Sequence, residues 1–239
     1  LEFYGHREND LVRLPDPTNV LKYPHIDIGV PVDTPAKRGY VVTTGTSIFS
    51  GRTGARAFDD QPTGDGWETD NGSFSDQVNQ TGGDTFTNLG SGTSSFTGHW
   101  IQLEMPHKLK FTGHIEINAY LNLTAMPQAE DRRPDAGAFL GSNDGSNWYL
   151  LHEFTSGSLN WVSLGGTTNT NQAKITTLSA SNTNAYKYVV MVITKKSDVS
   201  TSATTKISIR QLRYYGTGVD SVPIQIGGGN IDKVANFRV

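Results

Sequence analysis

Residues 138–154 read AFLGSNDGSNWYLLHEF. Two apolar runs, residues 138–141 and 148–154, flank Asn143-Asp144-Gly145. Asn and Asp ahead of Gly accept the backbone conformations of a tight reversal, so this stretch predicts a β-hairpin. The same grammar recurs on both sides of it. Residues 39–44 (GYVVTT), 100–105 (WIQLEM), 113–118 (GHIEIN), 186–194 (YKYVVMVIT) and 206–215 (KISIRQLRYY) alternate apolar with polar residues or run apolar. Turn chemistry separates them: Asp70-Asn71-Gly72, Gly82-Gly83-Asp84 and Gly165-Gly166. No window keeps apolar residues at helical spacing over three turns. Short strands joined by Gly- and Asn-rich turns predict an all-β sandwich or barrel.

Composition narrows the function classes. The chain has 239 residues, enough for one large domain or two small ones. Its 26 glycines follow no G-X-Y period, which excludes collagen. Aromatics at 10% are too many for a disordered chain. The net charge is −3, and no basic run exceeds the pairs Arg132-Arg133 and Lys195-Lys196. A nucleic-acid partner needs a basic stripe to displace counterions, and none is present. No apolar stretch is long enough for a membrane-spanning helix. Cysteine is absent, which removes disulfides, thiolate metal sites and Cys nucleophiles together. That absence points to folding in a reducing cytosol, or to a bacterial or viral origin, with a later extracellular life still open.

The ends differ from the middle. Residues 1–35 hold Pro15, Pro17, Pro24, Pro31 and Pro35 and read as the end of an upstream module plus an extended linker. Residues 36–216 form the body. Residues 217–239, with Gly227-Gly228-Gly229, read as a second linker and a strand of a following module. Leu1-Glu2-Phe3-Tyr4-Gly5 echoes Leu212-Arg213-Tyr214-Tyr215-Gly216, as if the chain began on the last strand of a preceding module. The first residues lack the apolar region of a signal peptide and a starting Met, and are expected to begin a fragment or processed piece.

Four segments of the body occur in a familiar order. They are residues 46–60 (TSIFSGRTGARAFDD) with Trp67 after them, residues 100–109 (WIQLEMPHKL) with 111–117 (FTGHIEI), the GSNDGSNW of residues 141–148, and residues 188–194 with 207–216. Together they resemble the discoidin, or coagulation factor 5/8 type C, family of galactose-binding-like domains. The resemblance implies an antiparallel jelly-roll β-sandwich of about eight strands. It also implies a non-catalytic module whose loops at one end bind glycans, phospholipid head groups or proteins. Residues 230–239 (NIDKVANFRV) resemble the last strand of a laminin-G or concanavalin-like domain. With LEFYG and RGYVV they are similar to structural proteins of large algal DNA viruses and marine phages. That likeness implies an extracellular or virion surface, with neighbouring modules and other virion proteins as partners.

The resemblance also implies a structural calcium ion. The family's ligands are an Asp before a Gly in the opening loop, here Asp59, and a Glu on the last strand, here Gln211. Asp60 stands where the family has Gly, and Gln211 offers a neutral oxygen in place of a carboxylate. A solvated acidic turn is the plainer alternative, since calcium needs six to eight oxygens.

A glycan site needs an aromatic face for C–H groups and polar side chains for hydroxyls, on loops backed by a rigid sheet. Residues 60–74 (DQPTGDGWETDNGSF) offer Trp67, Glu68, Asp70 and Asn71. Residues 126–135 (MPQAEDRRPD) offer Gln128, Glu130, Asp131, Arg132 and Arg133. The Arg pair suits a carboxylate, so an acidic glycan is expected, while the resemblance implies a galactose-like one. The competing readings are a Trp67 packed beneath its loop and an Arg132-Arg133 pair neutralised by Glu130, Asp131 and Asp135. Trp148 is expected to be structural and Trp100 core or rim. Residues 71–99 are expected to project, with Phe74, Phe86 and Phe96 as apolar tips for a phospholipid surface. The chain shows no G-x-S-x-G, no H-E-x-x-H and no ligand spacing among its six His residues, so no enzyme is expected. A glycan-binding module leads, and a structural module for capsid or fibre assembly is the alternative.

Overall fold

The alternating runs become strands because each can bury one side and pair its backbone with a neighbour. The computed structural model describes residues 21–23, 40–45, 48–61, 65–75, 79–90, 94–122, 130–164, 170–176, 184–197 and 205–219. In chain order the strands are β1 (Leu21–Tyr23), β2 (Val41–Thr44), β3 (Trp67–Glu68), β4 (Phe74–Ser75) and β5 (Asn79–Gln80). Next come β6 (Asp84–Thr87), β7 (Ser95–Lys110), β8 (Ile115–Asn122), β9 (Glu130–Asp131) and β10 (Pro134–Ser142). The last are β11 (Tyr149–Phe154), β12 (Val162–Ser163), β13 (Thr170–Ile175), β14 (Ala185–Lys196) and β15 (Ser208–Val219). A 3-10 helix spans Gly54–Phe58.

All named strand pairs are antiparallel. The first sheet runs β11-β10-β14-β7-β2. The second runs β12-β13-β8-β15, with β3 and β1 on the far side of β15. The two join where Thr217–Val219 pair with Lys110–Lys108. This is the antiparallel jelly-roll sandwich expected from the sequence.

Alternation sorts the inner faces. Ile101, Leu103, Phe139, Val189, Met191 and Ile193 of the first sheet meet Ile115, Ile117, Ala119, Ile209, Leu212 and Tyr214 of the second, all fully buried. Each large apolar side chain so buried contributes about 1.5–3 kcal/mol. Ala57 and Phe58 of the 3-10 helix join the same core, Phe58 lying 6.3 Å from the Tyr214 ring. Register gathers the C-terminal ends of β2, β8, β11 and β14 with the N-terminal ends of β10, β13 and β15. We call this the loop end; the 143–148 turn lies at the opposite end.

Three expectations need correction. Within the expected leading linker, Leu21–Tyr23 form an edge strand on Gly216–Tyr214. At the other boundary β15 continues to Val219, because Thr217–Val219 find ladder partners on β7. The rest of both flanks, LEFYG and NIDKVANFRV included, lies outside the described residues. Third, residues 71–99 do not raise their phenylalanines into solvent: Phe74, Phe86 and Phe96 are all buried. The β6–β7 hairpin folds back over the outer face of the first sheet, which is itself apolar. Phe86 and Phe96 pack there with Ala138, Leu140, Trp148, Val190 and Val192 in a second hydrophobic cluster. Leaving such a face in water is costly, and the hairpin covers it. The bend that allows this is at Gly98, where a Cβ would strike the carbonyl oxygen of Ile193.

The GSNDGSNW turn closes the β10–β11 hairpin. Ser142 Oγ accepts hydrogen bonds from the N–H groups of Asp144 (3.2 Å) and Gly145 (2.9 Å). Asp144 Oδ1 accepts from the N–H groups of Ser146 (2.8 Å) and Asn147 (2.7 Å). Gly145 sits at φ 76°, the left-handed conformation that Gly adopts without strain. Trp148 is structural, as expected, and packs edge-on against Phe86.

Candidate functional site

β3 splits Trp67 and Glu68 between its two sides. Trp67 points into the core and is 1% exposed, so it offers no ring face to a ligand. This corrects its expected role and follows the plainer reading, a Trp packed beneath its loop. Glu68 points the other way. Its Oε1 accepts from Arg132 Nη1 at 2.9 Å, and its Oε2 pairs with Lys206 Nζ at 3.1 Å. The two loops expected to share a site therefore do meet at the loop end. β15 is their common support: Arg132 N–H donates to Tyr120 O (3.1 Å), Ser208 N–H donates to Arg132 O (2.9 Å), and Glu68 pairs with Ser208 in the ladder. Glu68 and Arg132 are both largely buried, so their first partners are each other.

Cations accumulate around this carboxylate. The guanidinium carbons of Arg132 and Arg210 each lie 4.9 Å from the Tyr120 ring centroid. Lys206 Nζ lies 3.9 Å from the Phe49 ring. Such contacts contribute about 0.5–2 kcal/mol each, more when desolvated. Arg52 pairs with Asp65, which Arg56 approaches at 3.8 Å. Burial draws the Arg210 guanidinium below its ordinary range; Tyr120 and Glu68 hold it up, while Arg52 and Arg132 push it further down. Five cations, Arg52, Arg56, Arg132, Lys206 and Arg210, thus surround the two carboxylates of Asp65 and Glu68. The sequence reading missed Arg52, Tyr120, Lys206 and Arg210. For Tyr120, Lys206 and Arg210 the signal was the polar side of runs whose apolar side had been read; Arg52 lies in the loop before the 3-10 helix and carried no such signal.

Asp131 and Arg133 form an internal brace. Arg133 donates Nε to Asp131 Oδ1 (2.9 Å) and Nη2 to Oδ2 (2.7 Å). Asp131 is fully buried, and its Oδ2 also accepts from Ser197 Oγ at 2.6 Å. The buried Lys196 ammonium donates to the carbonyl oxygens of Asp131 (2.8 Å) and Ser197 (2.7 Å). The Arg133 guanidinium carbon lies 5.5 Å from the Trp161 ring centroid. This corrects the expectation that Asp131 and Arg133 contact a ligand: both Asp131 carboxylate oxygens, and Arg133 Nε and Nη2, are engaged within the chain. The side chain of Glu130 and residue Gln128 lie outside the described residues. Asp70 and Asn71 are exposed at a turn, as a ligand contact requires.

The expected calcium ligands divide. Asp59 is buried, and its Oδ1 accepts from the Gln61 N–H at 2.9 Å. Gln211 is buried, and its Oε1 has no hydrogen-bond partner. Carboxylate and amide oxygens are donor types that a hard cation takes. Asp60 does not fit the set: its Oδ1 accepts from Arg213 Nη2 (2.8 Å) and Nε (3.2 Å), so a guanidinium holds it. Asp60 has φ 58°, the left-handed conformation that suits the Gly of the resembled family. Among the described residues no group of three or more His, Asp or Glu is placed to hold a metal.

Two histidines are occupied structurally. His99 Nε2 lies 2.9 Å from Ser73 O, and His114 stacks on Tyr215 at 4.0 Å beside Glu116. No helix among the described residues is long and apolar enough to cross a membrane.

No protein-family model matches the chain, and no curated protein matches it. Solved structures resemble it in fold. CBM32-1 from a family 31 glycoside hydrolase of Clostridium perfringens gives a TM-score of 0.46 at 10% identity, covering 74% of this chain and 94% of that one. The family 32 CBM of C. perfringens NanJ, in complex with galactose, gives 0.44 at 13% identity over 74% of this chain and 93% of that one. The lectin domain of lectinolysin, complexed with Lewis B antigen, gives 0.41 at 13% identity over 77% and 95%. At these identities the likeness is one of fold alone.

Proposed function

We propose that this chain is a non-catalytic binding module, displayed outside the cell, that recognises an acidic glycan at the loop end of its sandwich. The observation that carries the reading is the cation cluster. Five Arg and Lys side chains gather about two carboxylates in a chain whose net charge is −3. Guanidinium groups match carboxylates and sulfates in geometry as well as charge. Tyr120 and Phe49 place aromatic rings within the cluster, and Asp70 and Asn71 bring exposed polar groups to the same end. A concentration of one sign of charge also steers an oppositely charged ligand inward. The structures similar in fold include complexes with galactose and with Lewis B antigen. The preference for an acidic sugar comes from this chain's own cations.

The experiment is a glycan-array screen of the whole chain, followed by calorimetry on the hits, with and without a calcium chelator. Sialylated, uronic or sulfated glycans are expected to bind, and to bind more weakly as salt rises. Arg210→Gln is expected to reduce affinity about tenfold, a loss of roughly 1.4 kcal/mol. Binding confined to neutral sugars would overturn the acidic preference. Loss of binding on chelation would assign a cation to Asp59 and Gln211. A blank array from a folded chain would overturn the glycan reading and leave assembly with neighbouring modules or virion proteins.

A further inference from the structure

A cleft of about 490 Å3 opens on the outer face of the first sheet, between the β6–β7 hairpin and the turn at Gly145–Trp148. That turn is at the end opposite the loops, so the cleft is separate from the cation cluster. Its volume falls in the range of small-molecule sites, about 300–1,000 Å3.

Indoles form its floor. Trp100 and Trp148 both stand edge-on to Phe86, at 5.6 and 5.4 Å between centroids. Trp148 is buried, whereas Trp100 is half-buried and keeps part of its ring in the cleft. Trp100 Nε1 donates to Asp84 Oδ2 at 2.6 Å, which fixes the ring's orientation. Thr87, Gln102 and Ser146 bring hydroxyl and amide groups to the rim, and Leu89, 48% exposed, borders it with an apolar surface. Asp84 is the one ionisable residue of the lining, and no cation stands there. An anionic ligand would find no counter-charge among the lining residues and would be repelled by Asp84.

The walls are held in place. Asn88 Oδ1 accepts from the N–H of Leu150 (3.0 Å) and of Gly90 (2.9 Å), and Leu89 N–H donates to Trp148 O at 2.8 Å. These bonds tie the hairpin to the β10–β11 turn. A cleft already shaped loses little entropy on binding.

We infer that this cleft is a second carbohydrate subsite, one that takes a neutral mono- or disaccharide. The C–H face of a pyranose ring lies against Trp100 and Leu89, and its hydroxyls meet Asp84, Gln102 and the rim. The ligand class follows from the pairing of an aromatic floor with hydroxyl-directed groups and an acidic, cation-free lining. It does not depend on the reading of the loop end, which has the opposite charge.

The test is a ¹H–¹⁵N NMR titration of the whole chain with galactose, lactose, cellobiose and maltose. Saturable shifts are expected at the Trp100 indole N–H and in the backbone of 84–89 and 145–148. Gln102→Ala and Leu89→Asp, both at partly exposed positions, are expected to weaken that binding about tenfold each with the melting temperature nearly unchanged. Arg210→Gln is expected to leave it intact, so failure at one site is distinguishable from failure at the other. The inference is overturned if no neutral sugar shifts these signals. It is equally overturned if the shifts fall at the loop end, or survive both cleft variants.

Discussion

The outer faces of the two sheets are built on the same strand alternation and differ in what covers them. On the first sheet the outward residues are Ala138, Leu140, Val190 and Val192, and a hairpin of the same chain lies on them with Phe86 and Phe96. On the second they are Glu116, Asn118, Gln211 and Arg213, and ion pairs do the covering. Glu116 takes Lys174 at 2.9 Å and Arg213 at 3.4 Å, while Arg213 reaches Asp60 at 2.8 Å. The comparison teaches that alternation separates inside from outside but does not say which outside is wet. An apolar outer face recruits another piece of chain; a charged one recruits counter-charges.

The largest expected effect tests the charged arrangement at the loop end. Glu68→Ala removes the carboxylate that Arg132 and Lys206 share at a largely buried position, and should destabilise the chain by about 3–5 kcal/mol in urea unfolding. Phe86→Ala tests the apolar face. It empties the space between Trp100 and Trp148 and should cost about 3 kcal/mol. Amide exchange should then quicken in residues 84–98 before it does in β8 or β15; uniform loss of protection would mean that the hairpin is part of the main cooperative core.

Asn118 sharpens the comparison further. It is fully buried, both of its amide atoms lack partners, and it faces Gln211 across the ladder. Asn118→Leu should remove that penalty and stabilise the fold by about 1 kcal/mol. Destabilisation instead would reveal a water or cation bridging Asn118 and Gln211.

The ionic face should also respond to acid. Burial pushes the Glu116 carboxyl up, but Lys174, His114 and Arg213 outweigh it and hold the group below its ordinary value of 4.5. A carboxyl lowered in the folded state stabilises fully above its unfolded value, and that contribution is lost as pH falls through the folded one. Asp144, held far down by hydrogen bonds from Asn147 and Ser146, acts with the same sign. The melting temperature should therefore fall with acidification below about pH 4.5, and Glu116→Gln should flatten the decline. The smallest effect is expected at the partly exposed pair Lys187–Glu104, 2.7 Å apart. Lys187→Ala should cost no more than about 0.5 kcal/mol in unfolding experiments, and less at high salt.

Much of the fold was legible in the sequence. Each run quoted from it became a strand, and GSNDGSNW became the turn before β11, because period-2 alternation and Asn-Asp-Gly chemistry are local properties. The candidate site was legible only in part. That residues 60–74 and 126–135 share one end followed from the resembled fold, and Glu68 meeting Arg132 agrees with it. The side on which Trp67 lies was not legible, since a two-residue strand carries too little pattern to show its register. Asp131 and Arg133 read as ligand contacts because the groups that bury Asp131, Lys196 and Ser197, are distant in sequence. Phe86 and Phe96, set among Thr, Gly and Ser, read as loop tips because their packing surface belongs to other strands.

The resembled family implied the antiparallel jelly roll; by itself the sequence determined an all-β sandwich or barrel, the positions of its principal strands, and the absence of any cysteine chemistry. These depend on propensities and periodicities that act within a few residues. Tertiary structure decided which polar residues became braces, where cations accumulated, and that a Thr- and Gly-rich stretch would cover one sheet and leave a cleft beside Trp100. Those outcomes depend on contacts between residues tens of positions apart, and burial and electrostatic energy are properties of that arrangement rather than of any single segment.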